Sequence, residues 1–249
     1  MMMEQVWPRR HSAQVPIAHW LTNWFLASLN FFVLFWITLQ LGQSALIRSF
    51  FPDPGLYQQL LPVVAIPVMV VLVEFTQYWA HRAFHRVGLL WRLHAVHHAD
   101  TTVDVTTSHR HHTVEVIINT MILLPVFLFF GAPTLVLLVY QLLRVLAVLF
   151  NHSDLRLPDA LDSALRKVIV TPNFHLVHHS ANSQFTNSNY GTIVPWFDYL
   201  FGTARSIPAT ETDTMRLGLE YLRRARDSRP DRLLLLPLMW RRWGPSGDR

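Results

Sequence analysis

The sequence predicts an all-α integral membrane protein: a four-transmembrane-helix bundle carrying a cytoplasmic, histidine-rich helical cap. Three observations predict it. The 249 residues are 51% hydrophobic and only 15% charged, a balance too apolar for a water-soluble domain of this size. Four apolar stretches reach or approach the roughly 20 residues that a helix needs to cross a hydrocarbon core about 30 Å thick. All 14 histidines, and all 21 lysines and arginines except Arg48 and Arg144, lie outside those stretches and on one side of them if the chain crosses in order.

Residues 1–19 are a short polar lead-in, with Trp20 and Trp24 placed to anchor at the membrane interface. The first span, Trp20 to Leu41, is too long and too far from the start for a cleavable signal peptide, and no small-residue cleavage site follows it. The loop 42–59 is too polar for hydrocarbon, and its Pro-Asp-Pro-Gly marks a turn. Leu60 to Ala80 is the second span, and residues 81–113 form a cytoplasmic segment. Val114 to Phe130 and Pro133 to Phe150 are shorter and meet at Gly131-Ala132-Pro133, a tight turn. Whether this pair crosses fully or re-enters, its two ends emerge together. Residues 151–215 complete a polar cap, so 20–215 forms one membrane unit. Residues 216–249 are a basic tail whose apolar run is too short to cross and lies at the interface.

The distribution of cations makes the histidine side cytoplasmic. Because those cations flank membrane segments, anionic lipid headgroups are the expected partner and nucleic acid is not. Twenty arginines against one lysine match a GC-rich bacterial coding sequence, which points to the bacterial inner membrane. The absence of cysteine excludes disulfides, thiolate metal sites and iron–sulfur clusters from this chain. There is no internal repeat, low-complexity tract or glycine-rich phosphate loop.

The histidines carry the chemistry. His81 and His85 are one helical turn apart, and His94, His97 and His98 repeat that logic at i, i+3 and i+4. Far downstream "HLVHH" gives His175, His178 and His179 with the same spacing, and His152 sits where the fourth span ends. A lone H-x-x-x-H is weak evidence of a site; two copies of H-x-x-H-H beside it, all on one side of a membrane, are not a coincidence of composition. Nine imidazoles are too many for one tetrahedral ion. Two ions with four or five nitrogens each fit better, and a thiolate-free set of this kind favours redox-active iron over structural zinc. The Glu-x-x-His pattern of soluble di-iron bundles is absent.

H-x-x-x-H, H-x-x-H-H and a distant H-x-x-H-H on this scaffold resemble the fatty acid hydroxylase/sterol desaturase superfamily. The resemblance runs from about Glu74 to Thr203 and includes "NHSD" at 151–154, "NYG" at 189–191 and "WFDYLFGT" at 196–203. It implies a membrane-bound di-iron oxygenase that uses O2 and external electrons to hydroxylate or desaturate an unactivated C–H bond of a lipid, whether fatty acyl, sterol or ether lipid. It also implies that two Fe ions are held by His81, His85, His94, His97, His98, His175, His178 and His179, with His152 as a further ligand. No haem or ferredoxin module accompanies them, so the electron donor is a separate protein. The chain departs from the family at Thr113, where proline is usual in "RHHTVE" (110–115), and at Asn187, where aspartate is frequent. His112 matches a family histidine, whereas His109 and His111 have no counterpart and read as solvated loop residues.

Several other groups are candidates for a place near the site. Glu74 and Gln77, seven and four residues before His81, share its helical face, and an acid inside a span is a functional candidate because an unpaired charge there is costly. Glu74 is expected to hold a ligand imidazole from behind, with snorkelling to the interface as the rival. Arg144 is placed to meet Glu74 or a lipid headgroup. Asp154, Asn187 and Asp198 can accept an imidazole N–H, with Asp198 favoured as a turn residue. Two other functional classes compete with the oxygenase. A membrane metal carrier or sensor calls for polar residues deep in several spans, and a bis-histidine haem protein for histidines inside facing spans; the sequence shows neither.

Overall fold

The computed structural model describes Glu4, Pro8, Arg9, residues 15–42, Ser49 and residues 55–245. Most of the polar lead-in, Arg48, the Pro-Asp-Pro of the first loop and residues 246–249 lie outside the described residues. Among the described residues the chain is helical, without a strand; only two isolated bridges occur, Pro8 with Leu155 and Ser180 with Leu217. The longer helices are α1 (Ile17–Gly42), α2 (Pro62–Arg86), α3 (Gly88–His98), α4 (Thr113–Phe130) and α5 (Thr134–Asn151). Short helices follow: α6 (Asp159–Leu165), α7 (Pro172–His178), α8 (Ser183–Thr186), α9 (Trp196–Leu200), α10 (Ala209–Thr214), α11 (Pro230–Leu235) and α12 (Trp240–Trp243).

Three segments are long and apolar enough to cross a membrane: Ile17–Ile37 in α1, Val63–Arg86 in α2, and α4. The fourth predicted span is a shorter apolar helix, Leu135–Asn151. The second span runs further than its apolar residues suggested, because α2 continues through His81 and His85 to Arg86. This is a membrane protein, and its surface shows why. Phe31, Phe32, Phe35 and Trp36 on α1, and Leu135, Leu138, Leu142 and Leu146 on α5, are all exposed. Such belts suit hydrocarbon as solvent, not water.

The bundle is held by a stripe on α2. Ala65, Met69 and Val73, spaced by four, are buried against Leu123 and Phe130 of α4 and Tyr140 of α5. Lipid tails are as apolar as these side chains, so the stripe contributes through close packing rather than through escape from water. Gly131 closes α4 in the left-handed region (φ 63°), where its N–H reaches Phe127 O. Gly55 packs on that turn so closely that an added Cβ would stand 2.8 Å from Gly131 Cα.

A second core gathers around the end of α3. Leu26 of α1 and Ala95, Val96 and Ala99 around the end of α3 pack with Leu219, Leu233, Leu236 and Trp240. The basic segment expected as an interfacial tail contributes to this core, while Leu235 and Leu238 remain exposed.

Candidate metal centre

Four pieces of chain deliver the nine histidines. The last turns of α2 carry His81 and His85, α3 carries His94, His97 and His98, His152 caps α5, and α7 with its cap carries His175, His178 and His179. All nine are buried. Their ring nitrogens gather into two sets: His81, His85, His94, His98 and His178 in one, His97, His152, His175 and His179 in the other. Within each set one nitrogen per residue lies within 4.8 Å of all the others.

The H-x-x-H-H spacing explains the division. Residues i and i+4 share a helical face, whereas neighbours differ by about 100°. His94 and His98 therefore enter the five-histidine set together while His97 enters the other. In the second copy His175 and His179 travel together and His178 crosses over. Each motif feeds both sets, in opposite proportion.

Several ring protons are committed outward. His81 Nδ1 donates to Tyr190 O (2.8 Å), His178 Nδ1 to Ser188 O (2.7 Å), His152 Nδ1 to Val148 O (2.9 Å) and His94 Nδ1 to the Glu115 carboxylate (2.7 Å). A carbonyl or carboxylate can only accept here, so in the neutral ring the Nε2 lone pair faces inward. Yet His81 Nε2 and His94 Nε2 are 3.1 Å apart. In the second set His152 Nε2 lies 3.3 Å from His97 Nε2 and 3.0 Å from His175 Nε2. Between His81 and His94 no proton is left for a hydrogen bond, and two facing lone pairs repel unless a cation sits between them. Nitrogens about 2.1 Å from a shared ion stand about 3.0–3.4 Å from one another at right-angled to tetrahedral openings. The residues fit a metal.

Burial supports the same conclusion. Desolvation, helped by neighbouring imidazoles, holds His97, His98, His175, His178 and His179 well below the ordinary histidine value, and burial takes His152 to about 3. These rings are neutral, the form that binds metal. Both nitrogens of His85 and His98, and Nε2 of His178, are buried without a hydrogen bond among the described residues. Each orphan costs about 1–3 kcal/mol unless a ligand satisfies it.

The supports behind the rings are mostly backbone. Asn189 adopts φ 55°, which asparagine tolerates, and its Nδ2 donates to Phe174 O (2.7 Å) and Arg205 O (2.8 Å). That turn aims the carbonyls of Ser188 and Tyr190 at His178 and His81. Asp198 fixes the next residues, accepting from Tyr190 N and Gly191 N (2.8 Å each) and Thr203 Oγ1 (2.7 Å). A Cβ at Gly191 would lie 2.5 Å from Val194 O. The "NYG" and "WFDYLFGT" segments thus hold the loop that steers two imidazoles, and Asp198 is the turn residue expected. Arg110, fully buried, donates to Val96 O (3.0 Å) in the last turn of α3 and to Asn23 Oδ1 (2.9 Å), which ties the first H-x-x-H-H to α1.

The auxiliary candidates land in varied places. Glu74 is buried but accepts from Ile193 N (2.7 Å) and Val194 N (3.3 Å) instead of an imidazole, because it lies about 10 Å up the helix axis from His81. Snorkelling fails too, since the carboxylate is enclosed; Arg144 attracts it from α5. Gln77 accepts from Asn119 Nδ2 (3.2 Å), bridging α2 and α4. Asp154 is held through its backbone: its N–H donates to Glu4 and its carbonyl accepts from Arg9 N. Asn187 is exposed and donates to Ser183 O (3.0 Å); its side chain also lies beside His85, though neither His85 nitrogen has a well-formed hydrogen bond. His112 stays outside both sets. Its Nδ1 accepts from Val114 N as the cap of α4, and its Nε2 donates to Leu234 O (3.1 Å). Trp20 points inward, donating to Asp104 (2.9 Å), while Trp24 is exposed. His109 is exposed, as a solvated loop residue should be.

His111 corrects the sequence reading. It is not a free loop residue: its ring stacks on His97 (4.4 Å, 8°) and its Nδ1 donates to Glu115 (2.9 Å). Glu115 was missed as well. Its carboxylate is buried in the first turn of α4, where it meets both His94 and His111. The rule that singled out Glu74, an acid at the end of a span, applies equally to Glu115.

Fold and site define a helical membrane protein built around a buried two-set histidine centre. The chain belongs to the fatty acid hydroxylase family, whose model matches residues 66–203, more than half of the sequence. It is similar to alkylglycerol monooxygenase from Xenopus tropicalis, with 33% identity over 53% of this chain and 28% of that protein. It is also similar to ornithine lipid hydroxylase OlsE from Rhizobium tropici, with 31% identity over 64% of this chain and 46% of that protein. A third relative, very-long-chain aldehyde decarbonylase GL1-7 from Oryza sativa subsp. japonica, is 30% identical over 54% and 22% of the respective lengths. The chain spans less than half the length of these curated relatives. No solved structure matches it.

Proposed function

We propose that this chain is a membrane-embedded di-iron oxygenase that hydroxylates or desaturates an unactivated C–H bond of a lipid. The observation that carries the proposal is the gathering of nine buried imidazoles into two sets, with the lone pairs of His81 and His94 facing each other at 3.1 Å and His152 Nε2 lying 3.0–3.3 Å from His175 and His97 Nε2. His81, His85, His94, His98 and His178 hold one iron, and His97, His152, His175 and His179 hold the other. Bound there, the irons supply O2 activation and the oxidising power that an alkane C–H bond demands.

The residues of the chain do the rest. Glu115 and the carbonyls of Ser188, Tyr190 and Val148 keep each ring in the tautomer that presents Nε2. The enclosed site excludes bulk water from a reactive centre. The helices, with α5 as a fourth span, admit a hydrocarbon chain from the bilayer. The histidine side faces the cytoplasm of a bacterial inner membrane, where a separate donor protein supplies electrons and anionic headgroups meet the basic surface. The relatives named for monooxygenase and hydroxylase activity favour hydroxylation.

The test is iron content and product. Purified full chain is expected to carry two irons and no Soret band. Lipids of host cells expressing it are expected to gain species one oxygen heavier or two hydrogens lighter, and His97→Ala to abolish them. A chain that binds iron without producing any such shift fits a carrier or sensor and overturns the oxygenase assignment.

A further inference from the structure

The segment after the second H-x-x-H-H folds into a basic pocket that plays no part in the histidine centre. A cavity of about 340 Å³ is lined by Arg223, Arg224, Arg226, Arg232, Arg242 and Trp243, with Tyr221 and Leu222 at its wall. Two acids, Glu220 and Asp227, also line it, so the guanidinium groups outnumber carboxylates five to two. Asp227 is committed to Arg232 (3.3 Å) and to the backbone N–H of Arg224 (3.0 Å). The Arg232 guanidinium carbon lies over the Trp243 ring, 4.1 Å from its centroid. That stacking fixes the guanidinium, and Arg232 Nε is buried without a hydrogen bond among the described residues. Arg224, Arg226 and Arg242 are exposed around it. Arg223 is tied to Leu217 O and Leu219 O (2.8 Å each), so the pocket is a held pair of guanidinium groups beside three exposed ones, which suits an anion with several acceptor oxygens.

One contact ties it to the end of a candidate membrane span. His112 caps α4, a membrane span, and donates to Leu234 O two residues beyond Arg232. The pocket therefore sits at the level where a helix enters the bilayer. Leu235 (47% exposed) and Leu238 (82% exposed) protrude from the same short segment, as apolar feet beside a cationic pocket. Tyr221 on its wall accepts from Trp91 Nε1 (3.2 Å), and the Trp91 ring lies 5.1 Å from His85 and 5.4 Å from His98.

We propose that this arginine pocket is a binding site for the phosphate of a membrane lipid, which it seats beside the five-histidine set. The proposal rests on the membrane placement given above but not on iron or catalysis.

The experiment uses the full chain purified in a neutral detergent. Binding of short-chain phosphatidylglycerol, short-chain phosphatidylcholine and inorganic phosphate is measured separately for the parent, for Arg224→Glu/Arg242→Glu, and for Arg205→Glu/Arg229→Glu, which makes the same charge change elsewhere. Phosphatidylglycerol is expected to bind the parent and to weaken at least about tenfold in the pocket pair, since each cation at a membrane surface is worth about a factor of five. The control pair is expected to lose less than about threefold. Equal losses in both pairs would reduce the effect to net charge and overturn the site. Inorganic phosphate that binds as tightly as the lipid would overturn the lipid assignment. So would a pocket pair that loses binding of an acidic [2Fe–2S] ferredoxin while keeping the lipid. Arg232→Gln, which keeps a stacked side chain without charge, is a milder variant should the charge reversals impair folding. Iron content measured on the same samples separates the two readings: iron-free parent protein that still binds lipid sinks the oxygenase proposal alone.

Discussion

The two H-x-x-H-H copies are identical in spacing and opposite in what they do. The first, on the 11-residue α3, sends two imidazoles to the five-histidine set and one to its neighbour; the second, on the 7-residue α7, reverses the ratio. Their supports differ as well. Behind His94 stands a charged side chain, Glu115, whereas behind His178 stands a backbone carbonyl, Ser188 O. A motif therefore fixes where imidazoles point, and the surrounding chain decides how each is held. The carboxylate sets a full negative charge behind its imidazole; the carbonyl sets only a dipole there.

The most severe way to break this comparison is to remove one ring from each copy. His98→Ala is expected to deplete the metal of the five-histidine set and His179→Ala that of the other, each with loss of activity to background. Metal analysis, with spectroscopy of what remains, checks it; two variants with the same residual spectrum would erase the distinction between sets.

Acid is expected to act next most strongly. Six of the rings, His97, His98, His152, His175, His178 and His179, are held below the ordinary value of 6.5 by burial. Between that value and their depressed ones the unfolded chain binds more protons than the folded chain. Stability from these groups is therefore full above about pH 6.5 and falls as the pH drops below it, by up to about 1.4 kcal/mol per unit for each ring. Metal-free protein should lose several kcal/mol between pH 7 and 5.5 in denaturant titrations. A flat profile would mean that the rings are reached by water.

The difference in support predicts unequal sensitivity. Glu115→Gln, which removes the charge behind His94, should weaken metal binding about 10–100-fold in chelator competition. For the second copy the lever is the turn: Asn189→Ala should cost about 3–4 kcal/mol, combining left-handed strain with three lost hydrogen bonds, and Asn189→Gly about 1 kcal/mol less. If Glu115→Gln leaves affinity unchanged, the carboxylate adds nothing that a carbonyl does not.

The smallest effect concerns the family departure at Thr113. It occupies the first position of α4, where proline is tolerated, and its hydroxyl donates to Asn30 Oδ1 (2.8 Å). Thr113→Pro exchanges that bond for a preset φ and should move the melting midpoint by no more than the equivalent of about 1 kcal/mol.

What was readable in the sequence follows from periodicity. The spans are legible from the length of their apolar runs and the histidines from their i, i+3, i+4 spacing, so the helices and the gathering of the rings could be inferred. The carbonyls of Ser188 and Tyr190 could not, because a backbone acceptor leaves no residue signature. Glu74 misled because sharing a face with His81 says nothing of the two turns between them. His111 and His112 were interchanged in importance: they sit on an extended stretch between a 3-10 turn and α4, where helical phase gives no guide to which neighbour turns inward.

Adjacent rings entering different sets also restrict how such a chain can change in length. A residue gained or lost between His94 and His98 would turn every later imidazole of α3 through about 100° and deliver it to the wrong nest. The same holds from His175 to His179. Changes of length are tolerable only in the connections on either side, and a gap falling within either five-residue block would break one of the two histidine sets.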